Sequence, residues 1–208
     1  MRKAFLLITV LALALGITYL LLHKSNSGEK PEKKDVPLTI GSSSSAFTRL
    51  FSGVLNDYFL LSEAFVVSDT VEIQHSANKL SSAVDSLRFD LLKADTSIVQ
   101  TAISLAQSIQ GEIKGLNGEK TMEQKKREFN MITDELYSLV RTVHYDGSTI
   151  YHMRCPMAFA DSSEGYWLSA SNKVINPYLG KNHPVYKNKM LECGEVSDSI
   201  HFTAPVSE

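Results

Sequence analysis

The chain has 208 residues, 43% of them hydrophobic and 21% charged, with a net charge of −2. These totals fit one folded domain with accessory segments. The charge is unevenly placed: residues 1–35 hold six basic and three acidic groups, which leaves 15 basic and 20 acidic groups, a balance of −5, for the rest. An acidic body lacks the basic footprint that nucleic-acid binding needs and suits attraction of a cation.

Arg2 and Lys3 precede an apolar run over residues 4–22. As a helix rising about 1.5 Å per residue, the run would span roughly 28 Å, close to a bilayer core. The run continues past Ala12-Leu13-Ala14, the place where a cleavage site would fall. Residues 1–23 are therefore expected to be an uncleaved signal-anchor, with a cleaved signal peptide as the alternative. A short basic N-terminus before a long domain looks like an export signal, while lysines on both sides of the run leave the reverse orientation as the alternative. The expected topology is a single-pass anchor with the domain outside the cytoplasm, or a free exported domain after cleavage. Residues 24–45, rich in Lys, Ser, Glu, Gly and Pro, read as a flexible tether.

From Ala46 the apolar residues fall at helical spacing. Four series follow: Phe47 to Tyr58, Ile73 to Leu91, Ile98 to Ile113 and Phe129 to Val143. Asp69 with Glu72 and Thr121 with Gln124 have capping-box spacing. Gly115, Asn117 and Gly118 are expected to stop the third helix. Residues 46–146 thus predict an antiparallel four-helix bundle, in which burial of the apolar stripes supplies most of the stability. His75 is expected at the surface, and Met122 and Met131 as gap-fillers. No paired His/Glu pattern of a di-iron bundle occurs, and there is no CxxCH for covalent haem.

After Asp146 the period ends. Residues 147–208 are expected to form a small irregular or β cap packed on the bundle, with strand character at Thr149–Tyr151 and Tyr166–Leu168 and a turn over Ile175–Gly180. The fold class is mainly α: a bundle with a C-terminal cap, preceded by a membrane helix. The cap holds both cysteines and the single tryptophan. Cys155-Pro156-Met157 opens it, and Met190-Leu191-Glu192-Cys193 closes it. Each end offers one thiol and one thioether, donors that select soft ions such as Cu(I) or Ag(I). On an extended chain Cys155 and Met157 share a side, and one turn would bring Met190 to Cys193. His152 would face away from Cys155. His144, His183 and His201 rank below the sulfurs, and Trp167 is a candidate cation–π neighbour. The alternative for the same two cysteines is a Cys155–Cys193 disulfide, closing a loop of about 38 residues and stabilising by roughly 4 kcal/mol. Hydrolase, zincin, phosphate-loop and dinucleotide signatures do not occur, so no enzyme is expected.

The segments CPMAF (155–159), GYWLS (165–169), INPY (175–178) and MLECGEV (190–196), in that order and spacing, resemble a bacterial domain family of unknown function. That domain occurs alone or fused to the C-terminus of periplasmic adaptor subunits of copper/silver efflux pumps. The resemblance covers about residues 46–196. CPM is also similar to part of the short heavy-metal-binding domain of those adaptors, from which this chain departs at Ala158 and in reading MLECG. The resemblance implies a copper or silver context, an envelope location, a metal efflux system or its adaptor as partner, and Cys155, Met157, Met190 and Cys193 as ligands, with Trp167 and His152 as possible additions. A metal-free adaptor or interaction module held by the disulfide remains open beside it.

Overall fold

The computed structural model describes residues 44–203; the apolar run at 4–22 and almost all of the tether lie outside the described residues. Four α-helices and a small antiparallel sheet make up this part: α1 (Ser45–Val67), α2 (Thr70–Asp85), α3 (Thr96–Gly118), α4 (Met122–Thr142), β1 (Ile150–Cys155), β2 (Gly165–Ser169) and β3 (Glu195–Ile200).

The helices start where short polar side chains can satisfy free amides. Ser44 accepts from Phe47 N at 3.2 Å, and Thr121 from Gln124 N at 3.2 Å. Asp69 accepts from Val71 N and Glu72 N, both at 3.0 Å. Ser68 ends α1 in the left-handed region (φ 56°), returning its amide to Ala64 and Phe65, so two residues suffice to turn the chain into α2. By length and composition α1 is long and apolar enough to cross a membrane. Half of its apolar window is nonetheless buried within the protein, and Phe47, Phe51, Tyr58, Leu61 and Phe65 are fully inaccessible.

One helix boundary differs from expectation. The second helix ends at Asp85, because the Ser86 hydroxyl turns back onto the Ala83 carbonyl at 2.7 Å. A short 3-10 turn over Phe89–Leu91 then carries the chain on, and Leu87 and Leu92 still reach the core. The third helix stops at Gly118, inside the expected Gly115–Gly118 stop, where the Glu119 amide returns to the Gly115 carbonyl. Gly115 also serves a close approach: a Cβ there would lie 2.5 Å from the Glu128 carboxylate of α4. His75 is exposed. Met122 is half-buried against the core, whereas Met131 is 46% exposed and fills no gap.

Consecutive helices pack side by side, and aromatic rings close α1 onto α4. Phe129 lies 5.4 Å from Tyr58 and 4.6 Å from Phe65, centroid to centroid. The sheet has the order β2-β1-β3. The register of β1 with β2 is unbroken, with Met153 opposite Trp167 and Cys155 opposite Gly165. The pairing with β3 slips once, between His152 and Met153. No sequence signal pointed to β3, whose residues are mostly polar and exposed.

Bundle and sheet share one hydrophobic core. Tyr58 of α1 accepts from Leu168 N at 3.1 Å while bonding Thr133 of α4 at 2.6 Å. Asn130 of α4 accepts from Tyr166 N at 2.8 Å and from the Tyr178 hydroxyl at 3.1 Å. Lys126 is buried and donates to the Tyr178 carbonyl; burial pushes its ammonium pKa down.

Candidate functional site: a buried pair of cysteines

Cys155 is the last residue of β1, and its neighbour across the ladder is a glycine for a steric reason. A Cβ on Gly165 would stand 2.5 Å from the Ala158 Cβ and 3.0 Å from the Tyr178 ring. Past Cys155 the chain turns at Pro156 and Met157, and Ala158 N donates to Ser163 O at 2.9 Å to close the hairpin. Cys155 is fully buried.

Cys193 arrives from the other end of the cap, and Asn176 places it. Asn176 is fully buried. Its amide oxygen accepts from Tyr178 N at 2.8 Å and Leu179 N at 2.9 Å. Its amide nitrogen donates to the Cys193 carbonyl at 2.6 Å, and its backbone N donates to Leu191 O at 2.8 Å. One side chain thus folds the 176–180 turn and ties the 191–193 segment to it. In the sequence this residue read only as part of a turn. The cue was an asparagine before a proline, but its partner lies 17 residues away. Cys193 N donates to Met190 O at 3.1 Å, the single turn expected there. Gly194 then enters β3 at φ 140°. A Cβ there would meet Arg154 O at 2.7 Å and the edge of Trp167 at 2.9 Å, so only glycine lets the chain pass so close to the end of β1.

The outcome is a separation of 3.8 Å between the two sulfur atoms. Both cysteines are free, Cys155 buried and Cys193 partly exposed. Burial first, then the neighbouring Cys155 sulfur, pushes the Cys193 thiol up.

The other sequence candidates take separate positions. Met190 is half-buried against the core, and its carbonyl holds the Cys193 turn. Met157 is 40% exposed and lines a cleft of about 280 Å³ with Glu123, Phe159, Leu179, His183 and Tyr186. Trp167 is 2% exposed. It shares the sheet face of Cys155 and stands edge-on to Tyr178, 6.2 Å between centroids. His152 projects to the opposite face, stacked on Tyr137 at 4.2 Å and Tyr166 at 5.1 Å. The Ser197 hydroxyl donates to His152 O at 2.9 Å and lies 3.0 Å from His152 Nδ1. Nδ1–H is therefore the donor to Ser197, and the buried Nε2 has no partner. Burial pulls the His152 pKa down, with Asp198 opposing. His144 stacks on Phe202, His183 on Tyr186, and His201 meets Thr149 at 3.2 Å. Among the described residues no three His, Cys, Asp or Glu side chains gather as a metal cluster.

Chemically, two sulfurs in contact in an apolar setting can do two things. They can share one soft ion, or they can close into a disulfide, where the bond is about 2.05 Å long. No curated protein and no solved structure matches the chain. Residues 54–147, from the middle of α1 to just before β1 and short of both cysteines, match the model of a family described as a protein of unknown function, DUF3347.

Proposed function

We propose that the chain is an extracytoplasmic protein that binds Cu(I) or Ag(I) through Cys155 and Cys193 and passes the ion to, or senses it for, a metal efflux system. The observation that carries the reading is the 3.8 Å between the two sulfurs. Two thiolates bound to one ion at about 2.3 Å, with an S–metal–S angle between tetrahedral and trigonal, stand roughly 3.8–4.0 Å apart. Two thiolates suit a soft monovalent ion. Met190, whose carbonyl holds the Cys193 turn, is the supplementary donor, whereas Met157 lines a separate cleft with Glu123 and His183. Trp167, on the sheet face of Cys155 and with its ring edge at Gly194, is the aromatic nearest in the fold for a cation–π contact. Transfer would run by stepwise exchange between soft ligands. The apolar run at 4–22 would hold the domain at the outer face of a bacterial inner membrane.

Titration of reduced protein with Cu(I) against a competing chelator tests the reading. The expected result is one tight ion per chain, weakened at least about tenfold in Cys155→Ser and less in Met190→Leu. Unchanged affinity in both variants sinks it.

The same 3.8 Å also favours a second reading, a metal-free interaction module in which Cys155 and Cys193 form a structural disulfide. Mass spectrometry of protein isolated from its host separates the two: a quantitative bridge that resists mild reductant favours the second.

A further inference from the structure

The two thiols differ in access. Cys155 is 0% exposed and sits at the end of the central strand, laddered to β2 through Gly165. Cys193 is partly exposed. It lies in an irregular turn, held by the Met190 carbonyl on one side and the Asn176 amide on the other. Closing the 3.8 Å gap to a bond requires the sulfurs to approach by roughly 1.8 Å. The turn can supply that movement more easily than the strand. A partly exposed cysteine with a second, buried one in contact behind it is the arrangement a two-step exchange requires.

We propose that Cys155 and Cys193 form a thiol–disulfide exchange site, in which Cys193 takes an incoming disulfide and Cys155 resolves it. The incoming species is an accessible disulfide, R–S–S–R, of a small thiol or a protein surface. The Cys193 thiolate attacks one of its sulfurs, forming a Cys193–S–R bond and releasing R–S⁻. The Cys155 thiolate then attacks Cys193 Sγ, forming the Cys155–Cys193 bond and releasing the second R–S⁻. The protein loses two electrons and two protons, and R–S–S–R gains them as two R–SH. The reverse sequence, started by an external thiolate at Cys193, reopens the bridge. This inference does not rest on metal binding. If the pair also holds an ion, bridge formation removes both ligands at once.

The test uses reduced, metal-free, full-length protein in detergent with glutathione disulfide as the probe, quenched by acid and read by mass spectrometry. Wild type is expected to lose two hydrogens without keeping glutathione. Cys155→Ser is expected to trap one glutathione on Cys193. In Cys193→Ser, Cys155 is expected to react at least about tenfold more slowly than Cys193 does in Cys155→Ser. Equal rates in the two variants overturn the proposal, as does a wild-type protein that collects two glutathiones and forms no bridge. Limiting alkylation of wild type gives the same answer without any variant: Cys193 is expected to label first, and equal labelling contradicts the assignment.

Discussion

At the scale of single residues, the site depends on side chains that carry no chemistry of their own. Asn176→Ala would leave two backbone amides and the Cys193 carbonyl unpaired in the interior, each a loss of about 1–3 kcal/mol. The expected result is a lowered denaturation midpoint, with Cys155 opened to alkylation in conditions where wild type is protected. Gly194→Ala would force a Cβ against Arg154 O at an unfavourable φ, costing on the order of 1–3 kcal/mol. Its readout is slower intramolecular bridging, since the crossing of the two chain ends is displaced. Part of the pH dependence belongs to His152, the most buried of the histidines whose pKa is lowered. Its folded pKa lies below the ordinary 6.5 because burial disfavours the charge. The unfolded chain therefore binds the proton more readily, so the contribution is fully present above 6.5 and is lost as pH falls through it. His152→Phe, which keeps the stack between Tyr137 and Tyr166, is expected to flatten the acid side of the stability profile, measured by urea unfolding at pH 5 to 8. An unchanged profile contradicts the assignment. The residue scale was legible in part. Two cysteines at opposite ends of one loop announced the pair. The Asn176 bridge did not show, because a hydrogen bond across 17 residues leaves no pattern in a linear chain.

At the scale of elements, the helices were legible because each buries one face, which writes a period near 3.6 into the sequence. The caps at Asp69 and Thr121 were legible for the same local reason. The early end of α2 was not. Leu87 and Leu92 stay in the core although the helix has stopped, so the apolar period outlasts the helix. The strand β3 was hidden by its exposure. Its side chains work as ion partners: Glu195 for Arg154 at 2.9 Å and Asp198 for Arg141 at 3.1 Å, with Tyr137 donating to Asp198 at 2.7 Å. An edge strand of this kind shows no alternating apolar signal. Gly165→Val tests the β1–β2 contact. Its side chain would push on Ala158 and Tyr178 and is expected to cost roughly 1–3 kcal/mol by overpacking, read as a lowered melting temperature with the helical signal of the folded state retained.

At the scale of the whole molecule, bundle and sheet are joined by buried contacts through Tyr58, Phe129, Asn130 and Tyr178. Phe129 touches the rings of Tyr58, Phe65 and Tyr178. Phe129→Ala is expected to cost about 3–5 kcal/mol. Helical circular dichroism and the accessibility of Cys155 should change in one coincident transition; separate transitions would show that the cap folds independently. Ile150, Met153, Cys155, Trp167, Leu168 and Ile200 of the sheet lie in the same buried cluster as the helix faces.

The most direct measurement is X-ray absorption at the copper edge of the reduced protein loaded with one Cu(I) per chain. The account predicts at least two sulfur neighbours at bonding distance, falling by one in Cys155→Ser and by one in Cys193→Ser. A first shell of nitrogen and oxygen alone, or a sulfur shell untouched by either substitution, would contradict it.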